Sequence, residues 1–227
     1  MGKRFSLDMT NGPFLKKILI FSVPLMLTGL LQLAYNTADV IVVGRFVGKE
    51  ALAAVGSTGS LVNLFLNVFL GLSMGSGVMV ARHIGERDDK KIHDCVHTAM
   101  ILSVVCGFLV GALGFFGSTG MLKLMNAPED VIDLASLYLK IYFLGSPGLL
   151  AYNFGASIVR STGDTKRPLY ILTFSGLINV VLNLVLIIVF KLGVSGVAIA
   201  TIVSQYVSAL LIILYLLKKN HLHRMLH

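Results

Sequence analysis

One acidic residue interrupts the first long apolar stretch of the chain. In LLQLAYNTADVIVVGR, residues 30 to 45, Asp39 is the only charged residue between Ile18 and Val43. A carboxylate surrounded by hydrocarbon is costly, so it is usually paired, hydrogen-bonded or set in a wet cavity, and it points to a functional site. Other oxygen-bearing side chains accompany it. Gln32, Asn36 and Asp39 are spaced four and three residues apart and share one helical face. Further along, Ser175, Asn179 and Asn183 form a second stripe, and Thr201, Gln205 and Ser208 a third. At 1.5 Å rise per residue, Asp39 lies about 9 Å below the end marked by Arg45, Asn183 about 12 Å before Lys191 and Thr201 about 15 Å after it. One carboxylate with amide and hydroxyl oxygens at matching depth suits a proton or a hard monovalent cation. Such a group can exchange H⁺ or Na⁺ for a cationic substrate. The alternative is a structural aspartate hydrogen-bonded to Asn183.

The elements that must position these residues are membrane spans. Of 227 residues, 56% are hydrophobic and 13% charged, with mean hydropathy +0.84; soluble domains carry about 25% charged residues. Uncharged windows cover 18–38, 51–81, 95–122, 141–159, 168–190 and 192–217. Each is near or beyond the roughly 20 residues a helix needs to cross the hydrocarbon. The fold class is therefore all-α and polytopic, with six transmembrane helices joined by short polar turns. Pro24 and Pro147 fall inside spans one and four and predict kinks, with Pro24 a candidate hinge. The pairs Gly71/Gly75 and Gly107/Gly111 predict close helix packing. On span two, Asn63 and Asn67 are expected to hydrogen-bond between helices.

Lys and Arg sort by end. Fourteen of the 19 flank span one at its start, join spans two and three, join spans four and five, or follow span six. Only Arg45, Lys49, Lys123, Lys140 and Lys191 fall at the other end. The excess of positive charge on one side predicts both termini in the cytoplasm, in a multi-pass protein of the plasma (inner) membrane. The formal net charge of +8 is thus a topology signal, and nucleic acid is not an expected partner.

Other features yield little chemistry. Cys95 and Cys106 imply no disulfide framework. MGKRFS loosely fits a myristoylation pattern, but a spanning chain needs no lipid anchor. His93 and His97 in HDCVH provide two metal ligands at most, so a helix start is expected there; HLHRMLH at the C-terminus reads as a basic link. Asp164 is expected to shape a turn or cap the helix that follows. With no phosphate loop, nucleophile elbow or zinc framework, no enzyme, resident cofactor or metal is expected.

The residues also carry a resemblance. VIVVGRFVGKEALAAVG directly after Asp39, GLSMGSGVMVARHIGERD at the end of span two, VRSTGDTKRP between spans four and five, and INVVLNLVLI in span five resemble, in order and spacing, the multidrug and toxic compound extrusion (MATE) family. The resemblance runs from about residue 14 to 217 and is most like a bacterial member. It implies twelve helices in two pseudo-symmetric lobes, of which this chain is the N-terminal one: a segment 1–13, the six-helix lobe 14–217, and the start of an inter-lobe linker at 218–227. It implies an antiporter that exports organic-cation or amphipathic compounds by alternating access, driven by H⁺ or Na⁺. The coupling-ion residues it implies are Asp39, Asn179, Asn183 and Thr201, and the cavity residues Gln32, Asn36, Tyr138 and Asn153. Some members carry a second acid where this chain has Asn183, which leaves the choice of ion open. The lobe that would complete the cavity is expected to be a C-terminal half or a second copy of this chain. Two alternatives stand beside this reading: a truncated chain with no transport of its own, and a flippase for lipid-linked precursors. The flippase would want cationic side chains for a pyrophosphate, and no Lys or Arg lies inside a span.

Overall fold

A computed structural model describes residues 14–218. The expected N-terminal segment 1–13, most of the link 218–227 and the histidines of HLHRMLH lie outside those residues. The described chain is helical throughout: α1 (Phe14–Phe46), α2 (Lys49–Glu86), α3 (Asp89–Leu124), α4 (Glu129–Leu144), α5 (Ser146–Ser161), α6 (Lys166–Leu184), a π-helical segment (Val185–Val189) and α7 (Gly193–Leu217). The first three helices run 33, 38 and 36 residues. At 1.5 Å per residue each exceeds about 45 Å, so their ends pass beyond a hydrocarbon layer of about 30 Å.

Local chemistry sets the turns. Between α1 and α2, Gly48 adopts φ 123°, a backbone few side chains tolerate. Helix α2 ends at Arg87 in the left-handed region, with the Asp88 N–H returning to the His83 carbonyl. Asp88 then caps α3, accepting from the Lys91 N–H at 3.1 Å. Alternating helices carry Lys17, the 82–91 turn, the 160–167 turn and Lys218 to one end of the bundle, called here the basic end.

Five helices are long and apolar enough to span a membrane, and α4 with α5 makes a sixth span bent by 49°. This corrects the expected fourth span. It extends over 129–161 rather than 141–159, because Asp133 and Lys140 inside α4 cut the apolar window short. Nor does Pro147 kink a continuous helix. The chain breaks at Gly145, and Pro147 sits at the start of α5, where its missing N–H is harmless. Pro24, by contrast, lies inside an uninterrupted α1, where the Thr28 hydroxyl donates to the Pro24 carbonyl at 2.8 Å.

Helix α5 is the hidden centre, buried on nearly every side among α2, α3 and α7. Apolar clusters close the two ends of the bundle. At the end opposite the basic one, Val43, Leu122, Leu139, Phe143 and Val197 join the inter-helix turns. At the basic end Val80, Ile92, Phe154 and Ile158 pack together. Outward faces such as Ile101, Phe108, Leu109 and Phe116 on α3 are exposed and apolar, as lipid contact requires. The two glycine pairs behave differently. Gly107 and Gly111 meet the α4–α5 break, whereas Gly71 and Gly75 have no neighbour within 4 Å of a would-be Cβ.

The 160–167 turn is stitched to three helices. Asp164 is fully buried one residue before the N-cap Thr165 and accepts the Arg167 N–H at 3.1 Å, so it ties the turn to the first turn of α6, and its other oxygen lies 3.3 Å from Arg167 Nε. Burial pushes the Asp164 carboxyl up, and the Arg167 N–H and charge partly offset this. The Arg167 guanidinium stacks on and bonds Tyr215 of α7, and the Tyr152 hydroxyl of α5 donates to the Pro168 carbonyl at 2.9 Å. Asp164→Ala is expected to cost about 2 kcal/mol, because it removes the buried acceptor of the Arg167 N–H and the carboxylate beside its guanidinium. Thermal unfolding in detergent checks this, with Asp164→Asn expected to lose less because it keeps the accepting oxygen.

Candidate functional site

Between the end clusters lies a cavity of about 300 Å³, walled by α1, α2 and α4–α7. Helix α1 supplies its chemistry because its packed stripe, Pro24, Thr28, Asp39 and Val43, follows the helical repeat toward α6. Asp39 is 8% exposed and Asn183 1% exposed. The Asn183 Nδ2 donates to Asp39 Oδ1 and also to Asn179 Oδ1 at 3.3 Å. Asn179 Nδ2 donates to Thr201 Oγ1 at 3.4 Å, and that hydroxyl donates to the Val197 carbonyl at 3.0 Å. Among the described residues, no Lys, Arg or His pairs with Asp39.

The direction of these bonds is informative. Both hydrogens of the Asn183 amide and the Thr201 hydroxyl hydrogen go to protein acceptors. Asn183 Oδ1 is left buried with no donor. A buried acceptor without a partner costs about 1–3 kcal/mol. The combined site is rich in acceptors and short of donors, the electrostatic condition for holding a proton or a small cation. The chain also leaves α-helical geometry two residues after Asn183, where the π-helical segment begins; such segments recur at functional sites.

The cavity wall gathers Gln32, Asn36, Asp39, Tyr138, Asn153, Asn179 and Thr201, with Asn183 directly behind Asp39. Asn36 is exposed at α1, and Asn153 spends its Nδ2 on the Leu149 carbonyl at 2.9 Å. Pro24 does not line the cavity. Asn63 and Asn67 overturn their expectation. Both are exposed on the cavity wall, and Asn67 donates to the Asn63 carbonyl of its own helix at 2.8 Å rather than to another helix. His93 and His97 lie with ring centres 4.5 Å apart and planes tilted by 46° on the exposed start of α3, and no group of three or more metal-ligating side chains occurs among the described residues.

Sequence reasoning missed Tyr35 and Tyr142. The Tyr142 ring stacks on Tyr138 at 6.0 Å, and both line the wall. The spacing of Tyr35, three residues after Gln32 and four before Asp39, marked it as part of the same face.

A family model described as MatE matches residues 24–185. The chain belongs to the MATE family. It is 34% identical over 211 residues, 93% of its length, to the probable multidrug resistance protein YpnP of Bacillus subtilis (strain 168), of which it covers 47%. Among solved structures it resembles a MATE in the bent conformation, with TM-score 0.84 and 30% identity over 90% of this chain and 46% of that one. It is similarly close to a MATE in the straight conformation, with TM-score 0.82 and 29% identity over 90% of this chain and 45% of that one. The chain thus spans about half the length of the curated relatives it matches. MATE proteins are transporters of small molecules in membranes rather than enzymes, and this chain is a multi-pass membrane protein that matches about half of one.

Proposed function

We propose that the chain is the N-terminal lobe of a cation-coupled exporter of amphipathic or organic-cation compounds. The observation that carries this is the acceptor-rich pair formed by Asp39 and the unpartnered Asn183 Oδ1 at the wall of a cavity. Its coupling ion is H⁺ or Na⁺, held at Asp39 with Asn179, Asn183 and Thr201 behind it. Binding there favours a different placement of α1, with Pro24 as the point of flexure, and lowers substrate affinity on the releasing side. Coupling of this kind requires that ion and substrate bind the two conformations unequally. The substrate lies against Gln32, Asn36, Tyr138 and Asn153, and a second six-helix lobe completes the cavity.

In this reading both ends face the cytoplasm of a plasma membrane, as the sorting of Lys and Arg supports. The segment 1–13 leads into a lobe of 14–217, and residues 218–227 begin the link to its partner. Among the described residues no Lys, Arg or His lines the cavity, which disfavours a pyrophosphate-bearing substrate and hence the flippase alternative.

The test uses membrane vesicles containing this lobe with its partner, loaded with a fluorescent lipophilic cation. An imposed H⁺ or Na⁺ gradient is expected to drive its movement, and the matching ionophore to stop it. The gradient that works names the ion. Movement indifferent to both gradients overturns the proposal.

A further inference from the structure

Tyr35 has no part in the hydrogen-bond chain of the site, yet it occupies a position only one residue type on α6 allows. Its ring lies against Gly176. A Cβ built on Gly176 would stand 2.0 Å from Tyr35 Cζ, 2.1 Å from Cε2 and 2.6 Å from Cε1. The Tyr35 hydroxyl donates to the Thr173 carbonyl at 3.2 Å. Helix α1 therefore meets α6 at two points one turn apart on its own axis: the ring on Gly176, and Asp39 on Asn183. Much of the rest of α1 is exposed, as at Met26, Leu30, Leu33 and Ile41. The ring also forms part of the cavity wall.

We propose that Tyr35, seated on Gly176, is a positioning residue that sets the spacing of α1 and α6, holds Asp39 against Asn183, and must leave its seat whenever a cavity occupant or a movement of α1 separates that pair. The inference rests on the reading of Asp39 as the exchange residue. Two helices approach closely only where small residues let them, and an aromatic ring against a bare Cα is a shallow seat with one weak hydrogen bond. It orders α1 without locking it. A substrate pressing on the ring from the cavity then acts on Asp39 one turn away, which gives substrate and ion a common lever.

Dicyclohexylcarbodiimide, which modifies protonated carboxyls in apolar surroundings, reads this directly. Its rate of reaction with Asp39, followed by peptide mass, reports on the surroundings of that residue whether or not the protein transports. Gly176→Ala is expected to raise the rate about three- to tenfold while Tyr35 is present, and less than about twofold where Tyr35 is already alanine. Tyr35→Phe keeps the ring and is expected to stay within about twofold of the native rate. If Gly176→Ala fails to accumulate, the double variant Tyr35→Ala/Gly176→Ala is expected to accumulate, since the clash is gone. Equal effects of Gly176→Ala in both backgrounds, no effect in the native background, or failure of both variants to accumulate overturns the seat. Gradient-independent transport with this background dependence intact would instead overturn the reading of Asp39.

Discussion

Replacing Asp39 with asparagine is expected to lower gradient-driven efflux by about two orders of magnitude while leaving the protein folded. The side chains are nearly isosteric, and the amide oxygen can still accept from Asn183 Nδ2. No cationic partner among the described residues is stranded by the loss of the carboxylate. Losing an unpaired buried acid is therefore neutral or mildly stabilising, unlike breaking a buried ion pair. What disappears is the only acidic group on the cavity wall among the described residues, and with it the carboxylate there that can exchange a proton or a cation. Asp39→Glu restores the charge one methylene further out and is expected to recover part of the rate. Two measurements separate the outcomes: substrate movement under an imposed gradient, and thermal unfolding of the purified protein. Unchanged efflux from a stable Asp39→Asn protein would remove Asp39 from the mechanism. A protein that unfolds would make it a structural aspartate bonded to Asn183.

Thr201→Ala is the companion case. It removes the acceptor of Asn179 Nδ2 but leaves Asp39 and Asn183 bonded. A loss of about 1 kcal/mol in ion affinity, near fivefold, is expected. A titration of transport against pH or Na⁺ checks it, with the apparent affinity shifting and the maximal rate largely kept.

The site was more legible in the sequence than the packing that builds it. Asp39, Asn179, Asn183 and Thr201 stand out because each is a polar group where hydrocarbon demands apolar ones, and helical rise places them at one depth. The structure joins all four in one chain of hydrogen bonds. Tyr35 shares the face of Gln32 and Asp39 by spacing, but an aromatic residue in a span is unremarkable, and its meaning depends on a glycine 141 positions away. The break at Gly145 was hidden for a related reason. Asp133 and Lys140 split the apolar window, and Pro147 reads as a kink unless α3 is known to press against it. Asn63 and Asn67 misled because a polar residue in a span has two uses, bonding a neighbouring helix or wetting a cavity, and only the neighbours decide.

The glycines put that dependence on neighbours to a quantitative test. Gly71 and Gly107 each open a small-xxx-small pair and look alike in the sequence. In the fold they are opposites. A Cβ at Gly107 would lie 2.5 Å from Pro147 Cα and 3.0 Å from Pro147 N, both backbone atoms that no rotamer change can move. The same contact puts the single Ser146 hydroxyl hydrogen within reach of either the Gly107 carbonyl at 2.8 Å or the Phe143 carbonyl at 2.7 Å, so it can tie α3 to the junction. Gly107→Ala must therefore push α3 off the α4–α5 junction and lose the bond that holds it there. Tyr138 and Tyr142 hang from α4 and Asn153 from α5, so the cavity wall moves with the junction. A loss of about 3 kcal/mol or more is expected, at the severe end for single substitutions. Gly71→Ala meets nothing within 4 Å and removes a helix-breaking residue; it is expected to be neutral, or to stabilise by up to about 1 kcal/mol. Thermal unfolding of the two variants side by side decides the matter. A Gly107→Ala protein as stable as Gly71→Ala would mean that the α3 contact does not hold the bend, and that the cavity wall is set by α7 through Tyr206, whose hydroxyl reaches the Leu144 carbonyl at 2.8 Å.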